Sequence, residues 1–154
     1  MNTQRMAGAI GGGLLAGLCI TAMMMLGEKR SGQPSELVEL ERAGLPKVGL
    51  RPARMRGLPT AGEQAIVQGG HLALSALAGV VYAAMTNEDT PVVPSGMAFG
   101  ASFYVAMHWI AGPALGVKQP EWQSDDKTLA MHAANHLMFG LAVAAGAKLA
   151  SPCS

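Results

Sequence analysis

Four histidines carry most of the chemistry this chain could perform, and all four fall inside apolar runs: His71, His108, His132 and His136. Imidazole is the side chain best suited to ligate a transition metal or pass a proton near neutral pH. His132 and His136 are four residues apart and so share one face of a helix. Gln64, Gln68, His71 and Ser75 recur at helical spacing, a polar stripe that must turn toward protein and away from hydrocarbon. Three kinds of chemistry fit these residues. One is a buried hydrogen-bond network in which the imidazoles, Asn135 and Gln68 satisfy one another. Another is a haem b held between two histidines of different helices. The third is a metal or proton path, since neutral imidazole suits zinc, copper or iron. The sequence places no Asp, Glu or Cys at the same depth to complete a familiar ligand set, so no cofactor is assigned. Met107 and Met131 stand beside histidines, but methionine ordinarily serves as an apolar filler. The chain has no nucleophile elbow, phosphate-binding loop, HExxH or dinucleotide fingerprint, and no catalytic residue is assigned.

The elements that must position these histidines are four hydrophobic stretches, at about 6–26, 65–86, 95–117 and 129–150. Each has close to the roughly 20 residues a helix needs to cross a bilayer. Half of the 154 residues are hydrophobic and only 14% are charged, well under the quarter usual in a soluble domain. None of the four runs shows the charged face that a helix at the surface of a soluble bundle would carry. The first run is too long for a signal peptide and lacks a small-residue cleavage site, which makes it a retained helix. The expected fold is an all-α integral membrane bundle of four transmembrane helices with a partly structured cytoplasmic loop, a single domain over 1–154. A net charge of +1 gives no sign of a nucleic-acid partner. Cys19 and Cys153 stand too far apart in expected depth to make a disulfide framework.

Charge sets the expected orientation. Lys29, Arg30, Arg42, Lys47, Arg51, Arg54 and Arg56 lie in the arm 27–63, and Lys118 and Lys127 follow the third run. Only Arg5 and Lys148 stand on the other side. Basic residues mark cytoplasmic loops, so the arm is expected in the cytoplasm and both termini in the periplasm. Counted from that surface, the four histidines fall within roughly 5–14 Å and form one layer. That places His71 and His136 opposite each other across the bundle interior. Within the arm, Ser35 can cap a short helix with Glu36 and Glu39 in its first turn, and Gly44 can end it. Pro46, Pro52, Gly57 and Pro59 argue against regular structure beyond it.

Small residues at four-residue spacing predict close helix packing: Gly8 with Gly12, Gly13 with Gly17, and Gly96 with Gly100. Ser75/Gly79 and Ala142/Gly146 repeat the spacing in the other two runs. Either the four helices pack closely on one another, or one glycine-rich face is left for another subunit.

The order of these segments resembles a known family. TAMMMLGE closes the first helix, and a proline-containing linker with a short acidic helix follows. GGHLALSALAGVVYAAM (69–85), GMAFGASFYVAMHWIAGPALGV (96–117) and MHAANHLMFGLAVAAG (131–146) complete it. The chain is similar over nearly its whole length to the YagU-like bacterial inner-membrane proteins of unknown function. The resemblance implies four helices in the inner membrane, with His71 and His136 at the family's recurring histidine positions. His108 and His132 match no position of that pattern, and the resemblance brings no reaction with it.

Together these readings point to a non-catalytic accessory or scaffold subunit of an inner-membrane complex. Its expected partners are the lipid bilayer and either other membrane subunits or further copies of itself. The alternative is a haem- or metal-binding electron-transfer protein built on the histidine layer. A small transporter is a third possibility, though four helices enclose little volume.

Overall fold

The computed structural model describes residues 2–52 and 56–151. Arg54 and Cys153 lie outside these residues. The described elements are helical: α1 Thr3–Ser31, α2 Glu36–Gly44, α3 Ala61–Met85, α4 Val92–Tyr104, α5 Gly112–Ala114 and α6 Asp126–Leu149. A π-helical segment, Val105–Ala111, joins α4 to α5. Single 3-10 turns lie at Leu45–Val48 and Glu121–Gln123.

Three of these helices, α1, α3 and α6, are long and apolar enough to cross a membrane. Most of their apolar surface faces outward, with Leu15, Leu18, Leu26, Ile66, Leu77, Met85, Met138 and Leu149 all exposed. Water would oppose such a surface, whereas lipid is its natural solvent. The described residues form an all-helical fold with three helices suited to crossing a membrane. The stretch expected as the third span, 95–117, differs from the other three. It is assembled from α4, the π-helical segment and the three-residue α5, with helical backbone continuous from Val92 to Ala114. Pro113 lacks an N–H and crowds the carbonyl four residues before it, so the regular ladder cannot run through unchanged. The Gly112 N–H reaches back five residues to the Met107 carbonyl, which widens the turn that carries His108.

The helices pack in the order α3, α1, α6, α4, each antiparallel to the next. Glycine sets this order. Gly8 lies against Gly146, and Gly12 against the Ala142 carbonyl, so this side of α1 meets α6. Gly13 and Gly17, one position further round, lie against Ser75 on α3. Gly96 and Gly100 face Gly140 and His136 on α6. A β-carbon at Gly8, Gly12, Gly13, Gly17 or Gly100 would collide with its neighbour, in most cases with backbone, and at Gly96 it would be tightly pressed. The core between the helices is correspondingly small-grained, with Ala9, Ala78, Ala83, Ala144 and Ala147 around Tyr82, Phe139 and Val143. Dispersion between closely spaced backbones holds such seams, because lipid removes the hydrophobic drive between helices.

At the end holding the termini, Tyr82 bridges α3 to α4. Its hydroxyl lies 2.7 Å from Ser95 Oγ, and its ring meets Phe99 edge-on at 5.3 Å. Arg5, itself buried, donates to the carbonyls of Ala83 and Thr86 at 3.0 and 2.9 Å. The guanidinium thus satisfies the open carbonyls at the end of α3, where the helix dipole favours a cation. The 87–94 loop joins the same end, with Asn2 donating to Glu88 Oε1 and Lys148 to the Glu88 carbonyl.

At the opposite end, the arm folds back on the helices. α2 begins at Glu36 with Ser35 at its N-cap position, although the Ser35 hydroxyl makes no capping bond. The α-helix ends at Gly44, as expected, but the chain does not leave helical geometry there. It runs on into the Leu45–Val48 turn, where Pro46 is tolerated near the start, and Gly49 ends it. Arg42 and Glu63 form a buried two-pronged ion pair, with Nε–Oε1 at 2.7 Å and Nη2–Oε2 at 3.2 Å. This pair pins α2 to the start of α3. The fully buried Val38 seats the apolar side of the arm helix.

Candidate functional site

His108, His132 and His136 come together at the end carrying the arm. Ring centroids lie 4.5 Å apart for His108 and His132, and 4.9 Å apart for His108 and His136. The π-helical turn supplies His108, while one face of α6 supplies the other two. His136 Nδ1 donates to the His132 carbonyl at 3.2 Å, and its ring packs against Phe103 and Tyr104. Rings in such contact leave no room for a macrocycle between them.

The sequence reading missed the carboxylates that join this group. It found no acid at histidine depth, yet two are present. Glu121 is completely buried. Its Oε1 takes hydrogen bonds from His132 Nδ1 at 2.6 Å and from the Tyr104 hydroxyl at 3.1 Å. Its Oε2 lies 2.6 Å from Lys118 Nζ and 3.4 Å from His108 Nδ1. Glu36, from the arm, places Oε2 2.7 Å from His132 Nε2 and Oε1 2.5 Å from Lys118 Nζ. Lys118 Nζ also stands 2.7 Å from His108 Nδ1. Lys118 arrives there because Gly116 adopts a positive φ of 62° and turns the chain back after α5.

The charges in this cluster offset one another. Burial drives the Glu121 carboxyl upward, but the hydrogen bonds from Lys118 and His132 and their nearby charges outweigh it and leave it at about 2. Glu36 follows the same pattern: burial raises it, while His132 and Lys118 bring it down to about 2. Both acids are therefore ionised at neutral pH. Both ring nitrogens of His132 face carboxylate oxygens, so both carry hydrogens. Two anions then face one ammonium and one imidazolium.

His71 belongs to a different network. Its Nδ1 lies 3.1 Å from Thr21 Oγ1, and that hydroxyl donates to Gln68 Oε1 at 2.8 Å. With the Thr21 hydrogen committed to Gln68, the hydrogen of the His71 contact sits on Nδ1. Gln68 donates to Gln64, Gln64 donates to Glu28, and Glu28 Oε1 accepts from the Ser35 backbone N–H at 2.9 Å. The polar stripe of α3 therefore faces α1. The expected meeting of His71 with His136 is corrected here: among the described residues, no hydrogen bond or ring contact joins His71 to the other three histidines. The cause is the helix order, which puts α1 between α3 and α6 over most of their length.

Two tryptophans stand beside the cluster. Trp109 and Trp122 are exposed, with ring centroids 5.8 Å apart, as amphipathic rings at a membrane–water boundary would be. Comparisons with protein-family models, curated proteins and solved structures returned no match to this chain.

Proposed function

We propose that the chain is a four-span protein of the bacterial inner membrane, with both termini periplasmic, acting as a non-catalytic accessory subunit. Its arm is the surface by which it holds a second membrane subunit. The observation that carries this reading is how firmly the arm is built. Buried or half-buried polar contacts fasten α2 and its N-cap: ion pairs from Glu36 to His132 and Lys118 and from Arg42 to Glu63, and a hydrogen bond from the Ser35 amide to Glu28. A simple connection needs none of these. Beyond the fastened part, Val48, Leu50 and Leu58 are exposed beside Lys47, Arg51 and Arg56. Such a surface suits a partner with an apolar patch rimmed by acidic groups.

The helical run from Val92 to Ala114 supports a fourth span. Val93, Met97, Val105 and Ile110 project outward from it, as they would toward lipid. The basic arm supports a cytoplasmic placement for the arm end, and the paired tryptophans support a membrane boundary there. The glycine faces are filled within the chain itself, so the arm rather than a glycine stripe is the contact surface. A photoreactive amino acid at Leu50 in living cells tests the reading. The expected product is one discrete protein adduct that fades when Arg51 and Arg56 are changed to Glu. Adducts with lipid alone would overturn it.

A further inference from the structure

We propose that Glu36, His108 and His132 form a binding site for a divalent metal ion of the zinc class. In this site Glu121 fixes the His132 ring, and Lys118 is the cation the metal replaces. The inference stands apart from the accessory role. One ligand atom from each of the three residues lies within 4.8 Å of the others. They come from three separate segments, the arm, the π-helical turn and α6. Two imidazoles and a carboxylate are a common zinc set with a fourth position left open.

The surroundings are what such a site requires. Metal-bound histidines usually donate their second ring N–H to a carboxylate, which fixes ring orientation and raises ligand strength. His132 Nδ1 does so to the buried Glu121 at 2.6 Å, leaving Nε2 turned toward Glu36. A positive ion already occupies the focus of the cluster. Lys118 Nζ sits 2.5 Å from Glu36 Oε1, 2.6 Å from Glu121 Oε2 and 2.7 Å from His108 Nδ1. The three N–H groups of the ammonium meet two carboxylate oxygens and one imidazole nitrogen, donor types that a zinc ion also accepts. The exchange balances in charge: a divalent ion enters, the Lys118 ammonium leaves, and His132 Nε2 releases one proton. Lys118 lies in the turn after Gly116 and keeps a little solvent exposure, which gives its side chain a way out.

The test uses full-length protein in detergent, stripped with a chelator and titrated with zinc alone. Cobalt serves as a spectroscopic stand-in. The expected result is one zinc per chain and a cobalt spectrum typical of a four-coordinate nitrogen and oxygen site. Lys118→Met, which keeps every ligand, should bind at least about tenfold tighter because the competing cation is gone. Glu121→Gln should weaken binding about 10- to 100-fold, as loss of such an orienting group does elsewhere. His132→Ala should abolish it. The proposal is overturned if neither the natural chain nor Lys118→Met takes up one equivalent, or if His132→Ala binds as tightly as the natural chain.

Discussion

Glu121 takes two hydrogen bonds on Oε1 and holds the Lys118 ammonium beside Oε2 with no solvent contact, and that arrangement makes it the most sensitive residue of the cluster. Removing one partner of a buried charge group leaves the others uncompensated, which typically costs 3 kcal/mol or more. Glu121→Gln is therefore expected to lower stability by about 3 kcal/mol, read by thermal unfolding in detergent. A loss under about 1 kcal/mol would show that the cluster is solvated after all. The same carboxyl fixes a pH response. Its value in the folded chain is about 2 against an ordinary 4.5, and Glu36 matches it. A lowered carboxyl contributes stability that is fully present above its ordinary value and is lost as pH falls through its folded value. In metal-free protein the arm should stay docked down to about pH 4.5 and release between there and about pH 2. Spin labels on Val48 and Met131, both exposed, would report this as a distance distribution that broadens in that window. Release near neutral pH would contradict the assignment. The histidines were legible in the sequence because imidazoles stand out in apolar runs. Glu36 and Glu121 were not, because each lies in a polar segment whose folding back is a tertiary event. Lys118 was read only as a topology charge, since nothing local announces the turn at Gly116.

At the scale of elements, adjacent glycines on α1 do different work. Gly12 lies against the Ala142 carbonyl, whereas a β-carbon at Gly11 would meet open space. Gly12→Leu is expected to force α1 from α6 and cost at least about 2 kcal/mol. Gly11→Leu should be neutral or slightly stabilising, because leucine favours helix more than glycine does. Equal thermal stability of the two variants in detergent would refute the close α1–α6 seam. The spacing of small residues shows that helices will approach closely, but not which neighbour each glycine meets. Gly12 and Gly13 are consecutive yet face α6 and α3 respectively, a distinction set by rotation of the whole helix. The three long apolar helices were readable from hydropathy alone. The π-helical turn in the remaining run was not, even though Pro113 marks where the regular ladder must yield.

Across the whole molecule, the two polar networks converge on neighbouring residues of the arm. The chain of bonds from His71 ends at the Ser35 amide, and the histidine–carboxylate cluster begins at Glu36. The two outer seams of the helix row, α3 with α1 and α6 with the α4 extension, are thereby tied to one short helix at one end. The other end is closed by Arg5, Tyr82 and the contacts to Glu88. Those two ends must face opposite sides of one membrane if α4 and its π-helical extension form a span. Single cysteines at Val48 in the arm and at Asp89 in the opposite loop, in a chain with Cys19 and Cys153 changed to Ser, test this directly with a maleimide that cannot cross the membrane. In intact spheroplasts the Asp89 position should label and Val48 should react only after the membrane is opened. Labelling of Val48 from outside, or of both positions from one side, would contradict the four-span arrangement with a cytoplasmic arm.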